Sequence, residues 1–177
     1  MAELIVLVDE DNTEVGTAEK SVVHTIDTPL HRGFSLFIFN ANRQLLITKR
    51  SPVKKTFPDV WTNTVCGHPA PEELVVDAAK RRLRTELGID GVKIQEMAPY
   101  RYRFADRNGV VENEICPILV GYHDGDPKPN LLETDAWKWM VWDEFLVDTK
   151  KYPEVYSPWC VEEGVILSSL SIPVFHP

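Results

Sequence analysis

Two short stretches of the sequence carry side chains of the kind that bind metals and transfer protons. The first is Cys66-Gly67-His68 and the second is Glu112-Asn113-Glu114. If each stretch is extended, side chains two residues apart project to the same face, so each stretch presents a pair. Together with His24 and His31 they supply imidazole nitrogens and carboxylate oxygens, a ligand set suited to Zn²⁺, Mn²⁺ or Mg²⁺.

Each of these residues also has a purely structural interpretation. A single histidine is most often a hydrogen-bonded structural residue, and His123 and His176 have no companion motif. Glu112 and Glu114 could lie on the solvent face of a hairpin strand. The apolar run that follows, at 115–120, favours instead a strand that enters the core, where a carboxylate needs a metal, a cation or a proton to offset its desolvation.

Basic residues are concentrated in two segments, although the chain as a whole is acidic. The first segment contains Lys49, Arg50, Lys54 and Lys55. Because it follows a predicted strand and precedes Pro58, it lies on a loop that could bind a small anion such as a diphosphate. The second contains Lys80, Arg81, Arg82 and Arg84. For most of these, favourable interaction with a helix dipole on a solvated face is the simpler interpretation.

Around these residues, apolar runs alternate with turn residues, which predicts a series of β-hairpins. The predicted hairpin strands are Leu4–Val8 with Glu14–Ala18, Phe34–Phe39 with Gln44–Lys49, and Tyr100–Ala105 with Val110–Tyr122. Further strands are predicted at Val60–Cys66 and Ala136–Trp142. The turn at 106–109 carries a strong signal because Asn108-Gly109 is a favoured hairpin dipeptide.

Helical periodicity is clearest over Glu72–Leu87, where apolar residues recur at every fourth position. Acidic residues at its start, basic residues later and Gly88 after its end are favourable dipole and capping choices. A second helix is predicted at Pro158–Leu170. Several hairpins around one well-marked helix predict an α/β (α+β) fold, in which a mixed sheet packs against helices.

Length and composition limit the kinds of protein this can be. The 177 residues are expected to form one domain spanning 1–177, and a net charge of −8 argues against a dedicated nucleic-acid-binding protein. The early apolar run Leu4–Val8 is too short for a signal peptide core or a membrane span. Three cysteines without a C-x-x-C pair predict free thiols in a reducing compartment. We therefore expect a cytoplasmic enzyme or binding protein.

The stretch that begins at Gly67 reads G-x5-E-x7-R-x-Φ-x-x-E-x-G-Φ, where Φ is an apolar residue. It is formed by Gly67, Glu73, Arg81, Leu83, Glu86, Gly88 and Ile89. This pattern resembles the Nudix box, in which a loop–helix–loop presents glutamates to a metal bound to a diphosphate. Arg82 and Thr85 stand where Nudix hydrolases carry glutamates, and this departure argues against hydrolysis.

Further segments resemble one family. They read HTIDTPLHRGFSLFIFN, KRSPVKKTFPDVWTNTVCGHP, YRYRF, VENEICP and YSPW. Together they resemble type I isopentenyl diphosphate isomerase from about Lys20 to about Trp159. The resemblance implies a single Nudix-like domain, built as a mixed β-sheet sandwich with flanking helices. It also implies interconversion of isopentenyl and dimethylallyl diphosphate, the precursors of isoprenoids.

The resemblance implies a role for each matching residue. A site for Mn²⁺, Zn²⁺ or Mg²⁺ is implied at His24, His31, His68, Glu112 and Glu114. Glu86 matches the Nudix-box glutamate that helps to hold Mg²⁺ on the substrate diphosphate. Cys66 and Glu114 match the acid/base pair, Tyr102 the tyrosine beside that acid, and Trp159 the aromatic facing the hydrocarbon. Basic positions near the diphosphate are implied at Lys20, Arg50, Lys54 and Arg82.

The implied reaction accounts for these residue types, because two proton-transfer groups suffice to move a double bond through a tertiary carbocation without a redox cofactor. Two alternatives stay open. A Nudix pyrophosphohydrolase would need glutamates at positions 82 and 85, and a metal-stabilised binding domain would have an altered Cys66 or Glu114. We expect a monomer that acts on a small prenyl diphosphate and has no nucleic-acid or membrane partner.

Overall fold

Short β-strands make up most of the architecture, as the alternating apolar pattern predicts. A computed structural model describes residues 3–172, so His176 lies outside the described residues. Its strands are β1 (Leu4–Val8), β2 (Glu14–Glu19), β3 (His31–Arg32), β4 (Phe34–Phe39), β5 (Gln44–Arg50), β6 (Trp61–Thr62), β7 (Val65–Gly67), β8 (Ile94–Ala98), β9 (Arg101–Ala105), β10 (Val111–Ile115), β11 (Ile118–Tyr122) and β12 (Thr134–Val141).

Within residues 3–172, four α-helices flank the sheets. They are α1 (Lys20–Val23), α2 (Val75–Leu87), α3 (Trp142–Lys151) and α4 (Pro158–Ser168). The expected class, a mixed α+β fold with flanking helices, is confirmed. Within the described residues, none of the helices has the length and apolar character needed to cross a bilayer.

The strands form two sheets of mixed direction. The first has the order β2-β1-β3-β10-β9, and the second has the order β12-β5-β4-β11-β8, with β6 paired to β5 and β7 to β4. Both contain a parallel pair, β3 with β10 and β4 with β11, while the other pairs are antiparallel.

The second sheet is buried on both faces, because its central strand β4 is apolar at almost every position. Phe37 and Phe39 on one face pack into a core shared with α3 and α4. Leu36 and Ile38 on the other face pack with α2, whose contribution includes Leu83. The alternation of strand side chains therefore separates two cores, and β4 supplies both.

One pair of parallel strands passes from the first sheet into the second. His31 pairs with Glu114 in the first sheet, and Ser35 pairs with Ile118 in the second. Between them the ladder continues, because the amide of Gly33 donates to the carbonyl of Ile115 at 2.9 Å. The predicted single strand Val110–Tyr122 is wrong for this reason. It divides at Pro117, which has no amide hydrogen to donate.

The predicted strand Val60–Cys66 is also divided, and the division opens the second sheet. Strands β4 and β5 pair only at Phe39 with Leu45 and then separate. The side chain of Thr64 lies between the two separated strands. Its hydroxyl donates a hydrogen bond to the carbonyl of Leu46 on β5 at 2.6 Å and accepts one from the amide of Ile38 on β4 at 2.8 Å. The chain thus crosses from β5 to β4 at this point and delivers the next strand, β7, beside β4.

Helix α2 begins at Val75, three residues later than predicted. Glu72 has a positive φ of 63°, which is incompatible with a right-handed helix. The carboxylate of Glu73 accepts a hydrogen bond from the backbone amide of Ala70 at 2.9 Å and forms an ion pair with Arg81 at 2.7 Å. Glu73 therefore stabilises the loop that precedes the helix and is not part of the first helical turn. The elements that the hairpin pattern did not predict are α1, β3 and β8, and α3 is only weakly marked in the sequence.

The end of α2 provides a test of the packing. Gly88 caps the helix with φ of 65°, and a Cβ added there would lie 3.1 Å from Cβ of Lys128. Gly91 has a similar φ of 70°, but a Cβ added there would meet no atom within 4 Å. Gly91→Ala should lower the free energy of unfolding by about 1–2 kcal/mol through backbone strain alone. Gly88→Ala should cost roughly 1 kcal/mol more because the added methyl group is crowded. Urea denaturation measures both, and equal losses would contradict the assigned packing.

Candidate active site

A row of three side chains crosses the first sheet. Glu114 on β10 is paired with His31 on β3 and with Tyr102 on β9. Neighbouring residues in register lie on the same face of a sheet, so the three side chains stand next to one another. All three are buried. Sheet register thus brings together three of the residues that the sequence analysis selected.

Glu114 is the most heavily contacted member of this row. Its Oε1 lies 2.9 Å from Nε2 of His68 and 3.4 Å from Nε2 of His31. Burial alone raises the pKa of Glu114, but these two imidazoles more than offset burial and hold the pKa well below its ordinary value. Burial lowers the pKa of His68, whereas contact with Glu114 raises that of His31 despite burial. Glu114 is therefore an ionised carboxylate.

Glu112 forms a second carboxylate–imidazole pair beside the first. Its Oε2 lies 3.1 Å from Nε2 of His24, and its Oε1 accepts a hydrogen bond from the hydroxyl of Thr56. Donor atoms from His24, His31, His68 and Glu112 all lie within 4.8 Å of one another. The predicted convergence of the histidines and glutamates is therefore present in the fold.

The tautomer of His31 is determined by its backbone contact. Nδ1 lies 2.9 Å from the carbonyl of Pro29, which can only accept, so Nδ1 carries a proton. If the ring is neutral, Nε2 presents a lone pair towards the carboxylate of Glu114. Among the described residues, Nε2 of His24 and of His31 and Oε2 of Glu112 form no hydrogen bond of good geometry, although each lies within 3.4 Å of an imidazole or carboxylate atom. Lone pairs facing one another in a buried site require a cation or an added proton between them, and this donor set suits a divalent metal.

Cys66 lies in the cleft at the middle of β7, where it pairs with Ser35 of β4. Its Sγ is 3.6 Å from the hydroxyl of Ser35 and donates to Oδ1 of Asn63 at 3.1 Å. Burial raises the pKa of the Cys66 thiol to about 12. The resting group is a protonated thiol with defined hydrogen-bond partners.

Aromatic side chains form one wall of the cleft. The indole of Trp159 stacks on Tyr102 with ring centroids 5.6 Å apart and meets Phe57 edge-on at 4.9 Å. Trp159 is only 1% exposed. The guanidinium of Arg50 lies 5.5 Å from the centre of the indole, which places a cation over the ring.

Basic side chains line another part of the same cleft. They include the four predicted positions and one more: Lys20, Arg50, Lys54, Arg82 and Lys55. Lys54 and Arg82 both pair with Glu133, and Lys20 pairs with Glu3 at 3.0 Å. Lys49, which belongs to the same sequence cluster as Arg50, instead pairs outside the cleft with Asp59 and Asp135.

Glu86 lies behind the basic wall and not among the residues of the main cleft. It is buried on α2, forms an ion pair with Arg82, and lines a small adjoining cavity together with Cys66. Thr85, at the second position where the box departs from its usual glutamates, donates its hydroxyl to the backbone carbonyl of Arg82 at 3.2 Å. Neither departure position presents a carboxylate to the cleft.

Comparison with known proteins identifies the family. The NUDIX domain model matches residues 29–160. An isopentenyl-diphosphate Delta-isomerase of Paenarthrobacter aurescens is 46% identical over 89% of this chain and 86% of its own length. One of Saccharopolyspora erythraea is 43% identical over 95% of this chain and 87% of its own. The chain belongs to the isopentenyl-diphosphate Delta-isomerase family.

A solved structure supports the fold assignment of this family member. The crystal structure of DR0079 from Deinococcus radiodurans superposes with a TM-score of 0.68 and covers 84% of this chain and 90% of its own. At 21% sequence identity, that likeness is one of fold.

In this member of the isomerase family, several cleft contacts come from residues that the sequence analysis did not select. They are Ser35 and Asn63 beside Cys66, Thr56 on Glu112, and Glu133 between two cations. Each is a common polar residue outside any ligand-like spacing. Only the pairing of strands and loops distant in sequence reveals their roles.

Gly33 tests how tightly Glu114 is held. A Cβ at position 33 would overlap Oε2 of Glu114. We expect Gly33→Ala to displace the carboxylate from its imidazole partners and lower the free energy of unfolding by about 1–3 kcal/mol. In a Glu114→Ala background the space is vacant, so the same substitution should then cost little. Equal costs in both backgrounds, measured by urea denaturation, would show that Gly33 and Glu114 are not coupled.

Proposed function

We propose that this protein interconverts isopentenyl diphosphate and dimethylallyl diphosphate. The observation that carries the proposal is that two candidate proton-transfer groups, Cys66 and Glu114, line one cleft together with an aromatic wall and a basic wall. A five-carbon diphosphate has an apolar end and an anionic end, and the cleft offers a surface for each. The family membership supports the same reaction.

Cys66 and Glu114 are assigned to the two proton transfers. Protonation of the terminal alkene carbon produces a tertiary carbocation, and loss of a proton from the carbon on its other side forms the new double bond. Cys66, a protonated thiol in the resting site, and the Glu114–Tyr102 pair supply the acid and the base. Which of them acts first depends on the direction of the reversible reaction. Tyr102 is suited to share a proton with Glu114 because the two are directly opposite in the sheet.

The aromatic wall protects the carbocation. Trp159 and Tyr102 line the cleft and are buried, so they restrict access of water that would capture the cation. An indole face stabilises a desolvated cation by about 2 kcal/mol or more. Trp159 already holds one cation, Arg50, over its ring.

The histidine–glutamate cluster is assigned to a divalent metal. His24, His31, His68, Glu112 and Glu114 would hold Mn²⁺, Zn²⁺ or Mg²⁺. The unpartnered donor atoms of His24, His31 and Glu112 fit such an ion. When bound, the ion supplies positive charge that neutralises the two carboxylates and fixes the orientation of Glu114. Glu112 contributes by holding His24 on one side and Thr56 on the other.

The basic wall is assigned to the diphosphate. Lys20, Arg50, Lys54 and Arg82 can donate to its oxygens, since charge-assisted hydrogen bonds from these groups are the strongest available. Glu86 is suited to hold Mg²⁺ on the diphosphate, provided that it is released in part from its ion pair with Arg82. Mg²⁺ would supply additional positive charge for the substrate oxygens.

We further propose that the protein acts as a cytoplasmic monomer on this small molecule, without a nucleic-acid or membrane partner. The net charge of −8 supports the lack of a nucleic-acid partner. All three cysteines are free thiols, which supports a reducing compartment.

The reaction itself is tested by incubating the protein with isopentenyl diphosphate and Mg²⁺ and measuring dimethylallyl diphosphate. Cys66→Ala should bind substrate and fold normally but lose roughly 10²–10⁴-fold in kcat, because a proton-transfer group is removed. Cys66→Ser should keep a small remnant of activity. Release of phosphate instead of the isomer would favour the hydrolase, and neither product would favour a binding domain. Near-native turnover by Cys66→Ala would contradict the role of the thiol.

The metal assignment is tested by elemental analysis of the purified protein. We expect one Mn, Zn or Mg per chain in the wild type and in the control His123→Gln, which changes a histidine outside the cluster. Glu112→Gln should lower the metal content. A chelator should lower the unfolding temperature of the wild type, because the bound metal stabilises the fold, but should leave that of Glu112→Gln unchanged. Equal metal content in the two variants would contradict the site.

A further inference from the structure

Glu133 is a carboxylate beside the basic wall to which the proposed function gives no task. Its two oxygens contact two different cations: Oε2 pairs with Lys54, and Oε1 lies 3.4 Å from Nη2 of Arg82. Burial alone raises the pKa of Glu133, but these cations more than offset burial and hold the pKa below its ordinary value. An ionised carboxylate is therefore already paired with two of the cations assigned to the substrate diphosphate.

A second carboxylate shares the same guanidinium. Nη2 of Arg82 forms an ion pair with Oε1 of Glu86 as well as with Oε1 of Glu133. Both glutamates line one small cavity, whose wall also includes Lys54. Among the described residues, Nε of Arg82 and Oε1 of Glu86 are buried and form no hydrogen bond of good geometry. Each of these two groups thus has the capacity for another partner.

The backbone around Glu133 keeps its carboxylate at this place. Its carbonyl accepts the amide of Ser51 at 3.1 Å, and its amide donates to the carbonyl of Asn130 at 2.9 Å. Asn130 in turn donates its amide to the carbonyl of Glu86 at 2.7 Å. The segment is therefore tied both to α2 and to the residue that follows β5. Rotation of the Glu133 side chain can break its ion pairs, but it leaves the carboxylate near both cations.

This arrangement creates an electrostatic conflict when a diphosphate binds. If Lys54 and Arg82 turn to the substrate, Glu86 and Glu133 lose the cation that they share and are left beside a polyanion. Like charges repel strongly in a half-buried site, where the effective dielectric constant is low. A divalent cation removes this repulsion, and Mg²⁺ is commonly bound by one or two carboxylates together with substrate phosphates.

We propose that Glu133 makes diphosphate binding depend on Mg²⁺. In the free protein it is the counter-ion of Lys54 and Arg82, and once these cations bind the diphosphate it faces the substrate-bound Mg²⁺ together with Glu86. The inference deepens the proposed function and rests on its assignment of the basic wall to the diphosphate. Without Mg²⁺, a diphosphate must displace Glu133 and leave two carboxylates without a cation between them, so the cleft discriminates against the metal-free form.

Calorimetric titration with isopentyl diphosphate tests this dependence without turnover, because the saturated analogue has no double bond to move. Each protein is titrated with and without added Mg²⁺. A chelator is not used, so that the metal proposed for the histidine–glutamate cluster stays in place. Complexation of Mg²⁺ by the free analogue is the same in every titration, and differences between variants therefore arise from the protein.

Glu133→Gln removes the charge and keeps the size of the side chain. Without added Mg²⁺ it should bind the analogue roughly 10-fold more tightly than the wild type, because a repulsive charge and a competitor for two cations are removed. With Mg²⁺ this gain should disappear, so the enhancement of binding by Mg²⁺ should fall by a similar factor. Glu133→Ala, a second neutral variant, should behave in the same way, whereas Glu133→Asp should keep the dependence on Mg²⁺.

Asp135→Asn is the matched control. Asp135 is exposed and pairs with Lys49 outside the cleft. The substitution removes the same charge from a nearby position on the chain, and it should leave binding unchanged under both conditions.

Weaker or unchanged binding by Glu133→Gln without added Mg²⁺ would show that Glu133 only stabilises the arrangement of Lys54 and Arg82, and would overturn the inference. An undiminished enhancement by Mg²⁺ in this variant, or an equal gain in Asp135→Asn, would overturn it as well. A wild type that binds the analogue but forms no dimethylallyl diphosphate would overturn the proposed reaction alone, and the titrations would still decide the role of Glu133.

Discussion

The parallel pairing of His31 with Glu114 is the constraint on which the site depends. It joins a two-residue strand, β3, to the middle of the first sheet, and the ladder then continues through Gly33 into the second sheet. Tyr102 lies opposite Glu114 because β9 pairs with β10 in the antiparallel direction. A slip of one residue in this pairing would turn Glu114 to the other face of the sheet and separate it from both imidazoles.

Charge is segregated inside the cleft. The ionised carboxylates, Glu112 and Glu114, are contacted by histidines, whereas the basic residues Lys54 and Arg82 pair with a different carboxylate, Glu133. Histidines are less costly to bury than lysine or arginine, because they can be neutral near pH 7. The cleft thus keeps one region for imidazole–carboxylate contacts and another for basic side chains, with the indole of Trp159 between protein core and cleft.

Local signals in the sequence predicted the elements better than their pairing. The turn at 106–109 and the apolar period of α2 depend on neighbouring residues, and both are observed near their expected positions. The division of the predicted strand Val60–Cys66 at Thr64 could not be predicted. It arises because β4 and β5 separate and the side chain of Thr64 forms hydrogen bonds with both. The histidines, Glu112, Glu114 and Cys66 were selected by residue type and spacing, whereas Tyr102, Glu86 and Trp159 were found through a family pattern.

The separation of the pairing strands along the chain has a consequence for how the protein acquires its structure. Asn113 donates to the carbonyl of Thr28 across 85 positions, and Ser35 approaches Cys116 across 81. Contacts of this kind require a long loop to close, which slows folding relative to local hairpins. During synthesis, the first hairpin and β4–β5 emerge well before β10 exists. The histidines of the cleft therefore cannot contact Glu112 and Glu114 until more than half of the chain has been synthesised.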